Sequence, residues 1–162
     1  LATAIIMNWI KKNFTDIDQQ DWYNILKLRA ETFVVEQFCP YNDLDGLDLV
    51  ATHLYTKDND TIVAYNRILK KGIAYEDAAS IGRVLTHPNY RGQRYGITML
   101  QEAIKHIYQN WGKVKVSIGA QGYLQNYYSK LGFENSSAMY LEDDIPHFKM
   151  DLNWEKAEAF LE

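Results

Sequence analysis

The sequence predicts one α/β domain of the α+β type, with a mixed, mostly antiparallel central sheet flanked by helices. Strand-like runs rich in β-branched and aromatic residues recur with short polar joins between them. One long segment beginning at Gly96 carries apolar residues at intervals of three and four, the period of a helix packed on a core. The 162 residues are 47% hydrophobic and 23% charged, with 9 Gly and 3 Pro, which suits one packed core and excludes a disordered or fibrous chain.

In chain order, residues 9–14 read as a short first strand. Thr15, Asp16 and Asp18 then offer capping oxygens, and Trp22, Ile25, Leu26, Leu28 and Phe33 recur near helical spacing, predicting a helix over 19–32. The stretch 40–48 is turn-rich and carries Asp43, Asp45 and Asp48. It is expected to stay exposed, because burying carboxylates is costly. Runs 50–57 and 61–69 on either side of Asp58-Asn59-Asp60 predict an antiparallel hairpin. A third strand over 79–86 stops at His87-Pro88, where proline restricts its neighbour and ends the ladder.

From Gly96, the stripe Ile97, Leu100, Ile104, Ile107, Tyr108 and Trp111 predicts a helix ending near Gly112. There follow a strand over 114–118, a helix over 123–131 closed by Gly132, and two strands over 137–141 and 148–152. Trp154, Ala157, Phe160 and Leu161 fall at helical spacing, so the tail can dock on its own core or on a second subunit, and a homodimer is one expectation.

Charge and cysteine content narrow the function classes. A net charge of −4 argues against a nucleic-acid partner, since such domains usually carry a basic excess. Cys39 stands alone and cannot form an internal disulfide, so the cytoplasm is the expected compartment. The apolar opening up to Met7 is too short to span a bilayer and lacks a charged start, so no membrane partner is expected. Residues 1–6 read as lying upstream of a start at Met7. The four histidines and one cysteine show no paired ligand spacing, and no metal is expected.

The informative junction is Thr86-His87-Pro88-Asn89-Tyr90-Arg91-Gly92-Gln93-Arg94-Tyr95-Gly96, a strand leading through a Gly- and Arg-bearing loop into an amphipathic helix. A helix N-terminus leaves amides without partners and carries about half a positive charge, so a phosphate can accept several hydrogen bonds there. Arg91 and Arg94 would add countercharge, and Gly92 and Gly96 would let the backbone approach. The same spacing also suits a tight turn with two solvated arginines.

This loop resembles the pyrophosphate loop of the GNAT superfamily of acyl-CoA-dependent N-acyltransferases, Arg/Gln-x-x-Gly-x-Gly/Ala. Arg91 matches the first position and Gly96 the last, while Arg94 stands where the middle glycine is usual. Tyr128-Ser129-Lys130-Leu131-Gly132-Phe133 resembles the Tyr-x-Lys-x-Gly-Phe signature of the same superfamily's last helix. More narrowly, Leu28-Arg29, Phe33-Val34-Val35-Glu36-Gln37, Cys39-Pro40-Tyr41, Asp43, Asp45-Gly46, His53, Ile81-Gly82-Arg83-Val84, Gly119-Ala120-Gln121 and Asp144-Ile145-Pro146-His147 are similar to the ElaA-like branch. The resemblance runs over about residues 8–152.

It implies transfer of an acetyl group from acetyl-CoA to a primary amine, on a small molecule or a peptide, by direct attack in a ternary complex. A non-catalytic acyl-CoA-binding sensor on the same fold is the alternative. Cofactor contacts are implied along Val84, Leu85 and Thr86, whose main chain would serve the oxyanion. Further contacts are implied at Arg91, Gly92, Gln93, Arg94, Tyr95, Gly96 and Ile97, and at Gln121 beside the pantetheine arm. Tyr128 occupies the position of the general acid, with Tyr127 as its natural control. For the base, Glu36, His53 and His147 are candidates and Asp43, Asp45 and Glu142 alternatives, and the sequence leaves the choice open. His87 and His106 read as structural or surface residues.

Overall fold

The computed structural model describes residues 7–161, and the expectation for residues 1–6 lies outside them. Eight strands form one sheet: β1 (Ile10–Asn13), β2 (Thr52–Asp58), β3 (Thr61–Leu69), β4 (Ala79–Thr86), β5 (Val116–Gln121), β6 (Phe133–Asn135), β7 (Tyr140–Glu142) and β8 (Ile145–Leu152). Their order is β1-β2-β3-β4-β5-β8-β6, with β7 paired to β8. Every pairing is antiparallel except β4 with β5, which the helix α2 (Tyr95–Trp111) joins as a crossover. None of the helices is long and apolar enough to cross a membrane among the described residues.

Helices cover both faces of the sheet. On one face α2 buries Met99, Leu100, Ala103, Ile104 and Ile107 against Leu54, Ala64 and Ile68. On the other, α1 (Gln19–Arg29) packs Ile25 and Leu28 on Tyr55, Tyr65 and Leu85. Both sides of β3 are therefore apolar, which explains its nearly unbroken burial. Asp18 caps α1 by accepting from the amides of Gln20 and Asp21, at 2.9 and 3.3 Å.

Several boundaries differ from the sequence expectation, each for a tertiary reason. The first helix is α-helical only to Arg29 and continues over Ala30–Glu36 as a π-helix, whose wider turn lets Phe33 pack on the α1 cluster while bordering the central cleft. β2 starts at Thr52 because Leu47–Val50 forms a short 3-10 turn. β5 is shifted to Val116–Gln121, where it pairs with β8 as far as Gln121 opposite His147. The last helix shortens to α3 (Gln125–Ser129), and Phe133–Asn135 adds a strand too short to show a pattern.

The closing hairpin turns at Asp143 and Asp144, both with positive φ (49° and 62°), the geometry of a two-residue type I′ turn that aspartate tolerates. The tail helix α4 (Trp154–Ala157) docks on its own core: Ala157 is buried, and the Trp154 indole N–H donates to the Val114 carbonyl at 2.7 Å. A second subunit is not needed to cover it.

Candidate active site

Parallel pairing between β4 and β5 lasts only for Ala79 with Val116 and Ser80 with Ser117, after which the two strands part. The parting opens a cavity of about 600 Å³, walled by Val84, Gly119 and Gln121 from the strands and by Tyr128 from α3. β4 is also bulged at this level. Tyr65 pairs with Leu85 and Arg67 with Gly82, so Arg83 and Val84 together face the single residue Asn66. Arg83 takes the left-handed conformation (φ 52°), which a bulge imposes and which aims its side chain back along the cavity wall.

There Arg83 meets the stretch expected to be an exposed acidic loop. That expectation holds for most of the stretch, Asp45 included, and is corrected at two positions: Asp48 is only 5% exposed and Asp43 is half-buried, while all three carboxylates are tied to the wall by arginines. Arg29 donates to Asp43 at 2.9 Å and to Asp48 at 2.7 Å. Arg67 donates to Asp48 at 3.0 Å and to Asp45 at 2.8 Å, and Arg83 to Asp43 at 2.7 Å. Three guanidinium groups thus neutralise three carboxylates, which removes the charge penalty that kept the loop outside in the sequence reading. Burial works against the Asp45 carboxylate, but hydrogen bonds from Arg67 and the Leu47 amide bring it down to about 2.

The junction before α2 has the anion-binding geometry. Arg94 is the N-cap with φ 67°, the conformation a glycine would take freely, and no side chain caps the helix amides behind it. Tyr95 is buried in the core and edge-on to Tyr90 at 6.0 Å, so only its main chain faces the loop. A β-carbon on Gly96 would collide with the Tyr127 hydroxyl and lie 3.5 Å from Thr86 Oγ1, so a side chain here would have to displace the end of the Tyr127 ring. Gly92 (φ 79°) sits at the turn, Gln93 is exposed, and Ile97 packs on the α2 core cluster. Leu85 is turned into the α1 cluster and Thr86 pairs with Ala64, which leaves their main chain as the part near the junction.

The three candidate bases separate clearly. His53 is fully buried away from the cavity. It donates from Nε2 to the Asp48 carbonyl at 2.8 Å and accepts at Nδ1 from the Tyr65 hydroxyl at 2.7 Å, so both ring nitrogens are committed and the role of proton relay is withdrawn. Glu36 grips Arg91 with both oxygens, at 2.6 and 2.8 Å, and the arginine holds its carboxyl below the usual range, which makes it a poor base in this arrangement. Arg91 also donates to the Thr86 carbonyl at 3.2 Å.

His147 lines the cavity. Its Nδ1 lies 2.7 Å from the Ile145 carbonyl, which can only accept, so Nδ1 carries the proton and Nε2 is left to accept one. Nε2 is 3.5 Å from a Glu142 oxygen, the one alternative carboxylate beside it. Asp43 and Asp45 are engaged by arginines. His87 caps the turn after β4 by accepting from the Asn89 amide, and His106 contacts Asn110 on the surface of α2.

The model of the acetyltransferase (GNAT) domain family matches residues 26–154. The chain belongs to the GNAT family. It is 37% identical to the protein ElaA of Escherichia coli K12 over 147 residues, 90% of this chain and 95% of that protein. The crystal structure of an acyl-CoA N-acyltransferase from Pseudomonas aeruginosa superposes with a TM-score of 0.84 at 38% identity, covering 91% of this chain and 99% of that one. Escherichia coli ElaA itself superposes at 0.83 and 36% identity, with 90% and 99% covered.

Within this GNAT domain, Tyr128 of the family signature is nearly buried and borders the cavity, whereas Tyr127 points to Gly96. Burial, then the neighbouring Tyr127 and Tyr123, raise the Tyr128 phenol well above its ordinary value, so it is a full proton donor at neutral pH. Gln121 exchanges two amide hydrogen bonds with Gln37, at 3.1 and 3.2 Å, bridging the π-helical segment to β5 across the mouth of the cavity. Sequence reasoning missed Tyr75 and Tyr140, which border the same cavity from a loop and from the edge strand β7. No periodicity marks them.

Two groups, buried His53 and arginine-bound Asp45, set a two-stage acid response in this GNAT domain. Burial holds His53 neutral, so its share of stability is complete above an ordinary imidazole value of about 6.5 and is lost as pH falls below it. Asp45 contributes above the ordinary carboxylate value of about 3.9, and its share drains as pH falls toward 2. Melting temperatures recorded from pH 7.5 to 2.5 are expected to drop in two steps. His53→Gln is expected to flatten the upper step, and an unchanged upper step would remove His53 from this role.

Proposed function

We propose that this protein is an N-acyltransferase that moves an acyl group, acetyl from acetyl-CoA, to a primary amine by direct attack in a ternary complex. The observation that carries this reading is the parting of β4 and β5. The cavity it opens has a protonated phenol on one wall and an imidazole nitrogen on another, and the chain leaving β4 runs into a helix N-terminus without a side-chain cap. The residues fit the group the family implies. Uncapped amides of α2 and the Arg94 side chain suit a diphosphate, with Arg91 held by Glu36, and Gly96 presents main chain without a β-carbon. When bound, acyl-CoA would supply the activated carbonyl.

The protein's own tasks follow from proton accounting. A primary ammonium of reference pKa about 10.4 must lose a proton, which at pH 7 corresponds to about 4–5 kcal/mol. His147 Nε2 takes that proton. The amine nitrogen then forms the C–N bond as the C–S bond breaks, and Tyr128 donates to the departing sulfur. The second N–H proton of the amine restores the phenol, so one proton is released per turnover. Main-chain N–H groups of the bulged strand around Val84 serve the carbonyl oxygen as its charge grows.

Release of CoA thiol from acetyl-CoA with a panel of primary amines tests this directly. Acetyl-CoA is also expected to raise the melting temperature, and Gly96→Glu is expected to abolish that rise while keeping the circular dichroism of the native fold. An unchanged rise would remove the diphosphate from this helix. Binding of acetyl-CoA with no turnover of any amine would overturn the enzyme reading in favour of an acyl-CoA sensor.

A further inference from the structure

We infer that the acceptor enters as a primary alkylammonium ion seated over Gly119, between the Glu142 carboxylate and the hydroxyls of Tyr75 and Tyr140, beside His147. This rests on the N-acyl-transfer reading and adds where the amine sits and which charge state is selected. A β-carbon built on Gly119 would lie 3.0 Å from the Tyr140 hydroxyl, 3.7 Å from the Tyr75 hydroxyl and 3.9 Å from Glu142 Oε2. Three polar groups from two separate segments therefore converge on one point above a residue that has no side chain to fill it. The spacing suits an ammonium, which offers three hydrogens to three oxygen acceptors.

The hairpin builds this arrangement. Its type I′ turn at Asp143-Asp144 sets Tyr140 opposite His147 and Glu142 opposite Ile145, and alternation along β7 puts Tyr140 and Glu142 on one face. The Tyr140 and His147 rings stack with centroids 5.9 Å apart. Burial, followed by the nearby Tyr140 and Glu142, pushes the Tyr75 phenol up to about 12, so it keeps its proton and turns its lone pairs to a cation. Lys149 already holds its ammonium 5.1 Å from the Tyr75 ring centre, so this aromatic surface accepts a cation.

Charge selects the substrate state. Arg29, Arg67 and Arg83 are matched by Asp43, Asp45 and Asp48, so that end of the cavity is neutral within itself. The other charged groups at this end are Glu142 and Asp143 on the cavity wall and Lys149 beside Tyr75, two carboxylates against one ammonium. An ammonium is drawn to this end and a carboxylate-bearing acceptor is repelled. In the seat, R–NH3⁺ gives one proton to His147 Nε2. The imidazolium formed then faces Glu142, whose negative charge stabilises it.

The test uses n-hexylamine as the probe, with 6-aminohexanoate and hexan-1-ol for comparison. In the wild type, n-hexylamine is expected to shift the Gly119 amide resonance and to be acetylated in preference to the other two. Glu142→Gln, which loses a hydrogen bond to a charged group, and Gly119→Ala, whose methyl would fill the seat, are each expected to raise the amine KM by about tenfold or more. Acetyl-CoA-induced thermal stabilisation should be unchanged in both. Turnover with an unaltered amine KM in both variants would overturn the ammonium seat and leave the N-acyltransferase reading standing. A Gly119 shift that Glu142→Gln abolishes, without turnover of any amine, would sustain the seat and overturn that reading. No shift and no turnover would overturn both.

Discussion

Replacing Asp48 by asparagine is expected to cost about 3–5 kcal/mol of folding stability, the range for breaking a buried ion pair by removing one partner. One Asp48 oxygen accepts from both Arg29 and Arg67, and its main-chain carbonyl accepts from His53. Arg29 is fully buried, so it has no water to fall back on. The amide keeps the shape of the side chain but removes one of three negative charges facing three guanidinium groups. Burial tends to raise the Asp48 carboxyl, and the arginine hydrogen bonds overcome it and lower it, which marks how strongly the site demands an anion here. Urea unfolding followed by circular dichroism measures the loss. A cost below about 1 kcal/mol, the scale of an exposed pair, would mean the cluster is solvated and the wall is not held by charge.

Tyr128→Phe is expected to lower kcat by about a hundredfold or more, the ordinary contribution of a positioned acid, with little change in the KM for acetyl-CoA. The ring remains, packed edge-on to Phe133 at 6.0 Å and to Tyr127 at 5.5 Å, so the substitution removes the proton and spares the core. Tyr127→Phe supplies the comparison, because its hydroxyl is directed at Gly96. It is expected to leave the chemical step unchanged. A Tyr128→Phe enzyme with full kcat would show that the departing sulfur finds its proton elsewhere.

Much of the fold was legible because its signals are local. The stripe through Leu100, Ile104 and Ile107 repeats within a few residues, and those three side chains are buried as the period requires. Tyr108, placed on the same stripe by spacing, is 42% exposed and meets Trp154 with ring centroids 6.0 Å apart, while the neighbouring Ile107 takes the core-facing position. For the site, the two ordered motifs marked the loop at Arg91 to Gly96 and the tyrosine at 128. Choosing the base was beyond them. Glu36 and His53 look as suitable as His147 in the sequence, and only their partners, Arg91 for one and Asp48 with Tyr65 for the other, distinguish them.

By itself, then, the amino-acid sequence determined the sheet-and-helix order as far as α3, the helix that begins at the arginine-glycine loop and membership of the GNAT family, because periodicity, capping and short motifs act between near neighbours. Tertiary structure alone decided that Asp48 is buried between two arginines, that Gln37 reaches Gln121, and that Tyr75, Tyr140 and Glu142 meet above Gly119. Arg29 and Asp48 lie 19 residues apart, Arg83 and Asp43 lie 40, and the two glutamines 84. A charge is expensive to bury until its partner arrives, and at such separations the partner is supplied by the folded chain and not by its neighbours.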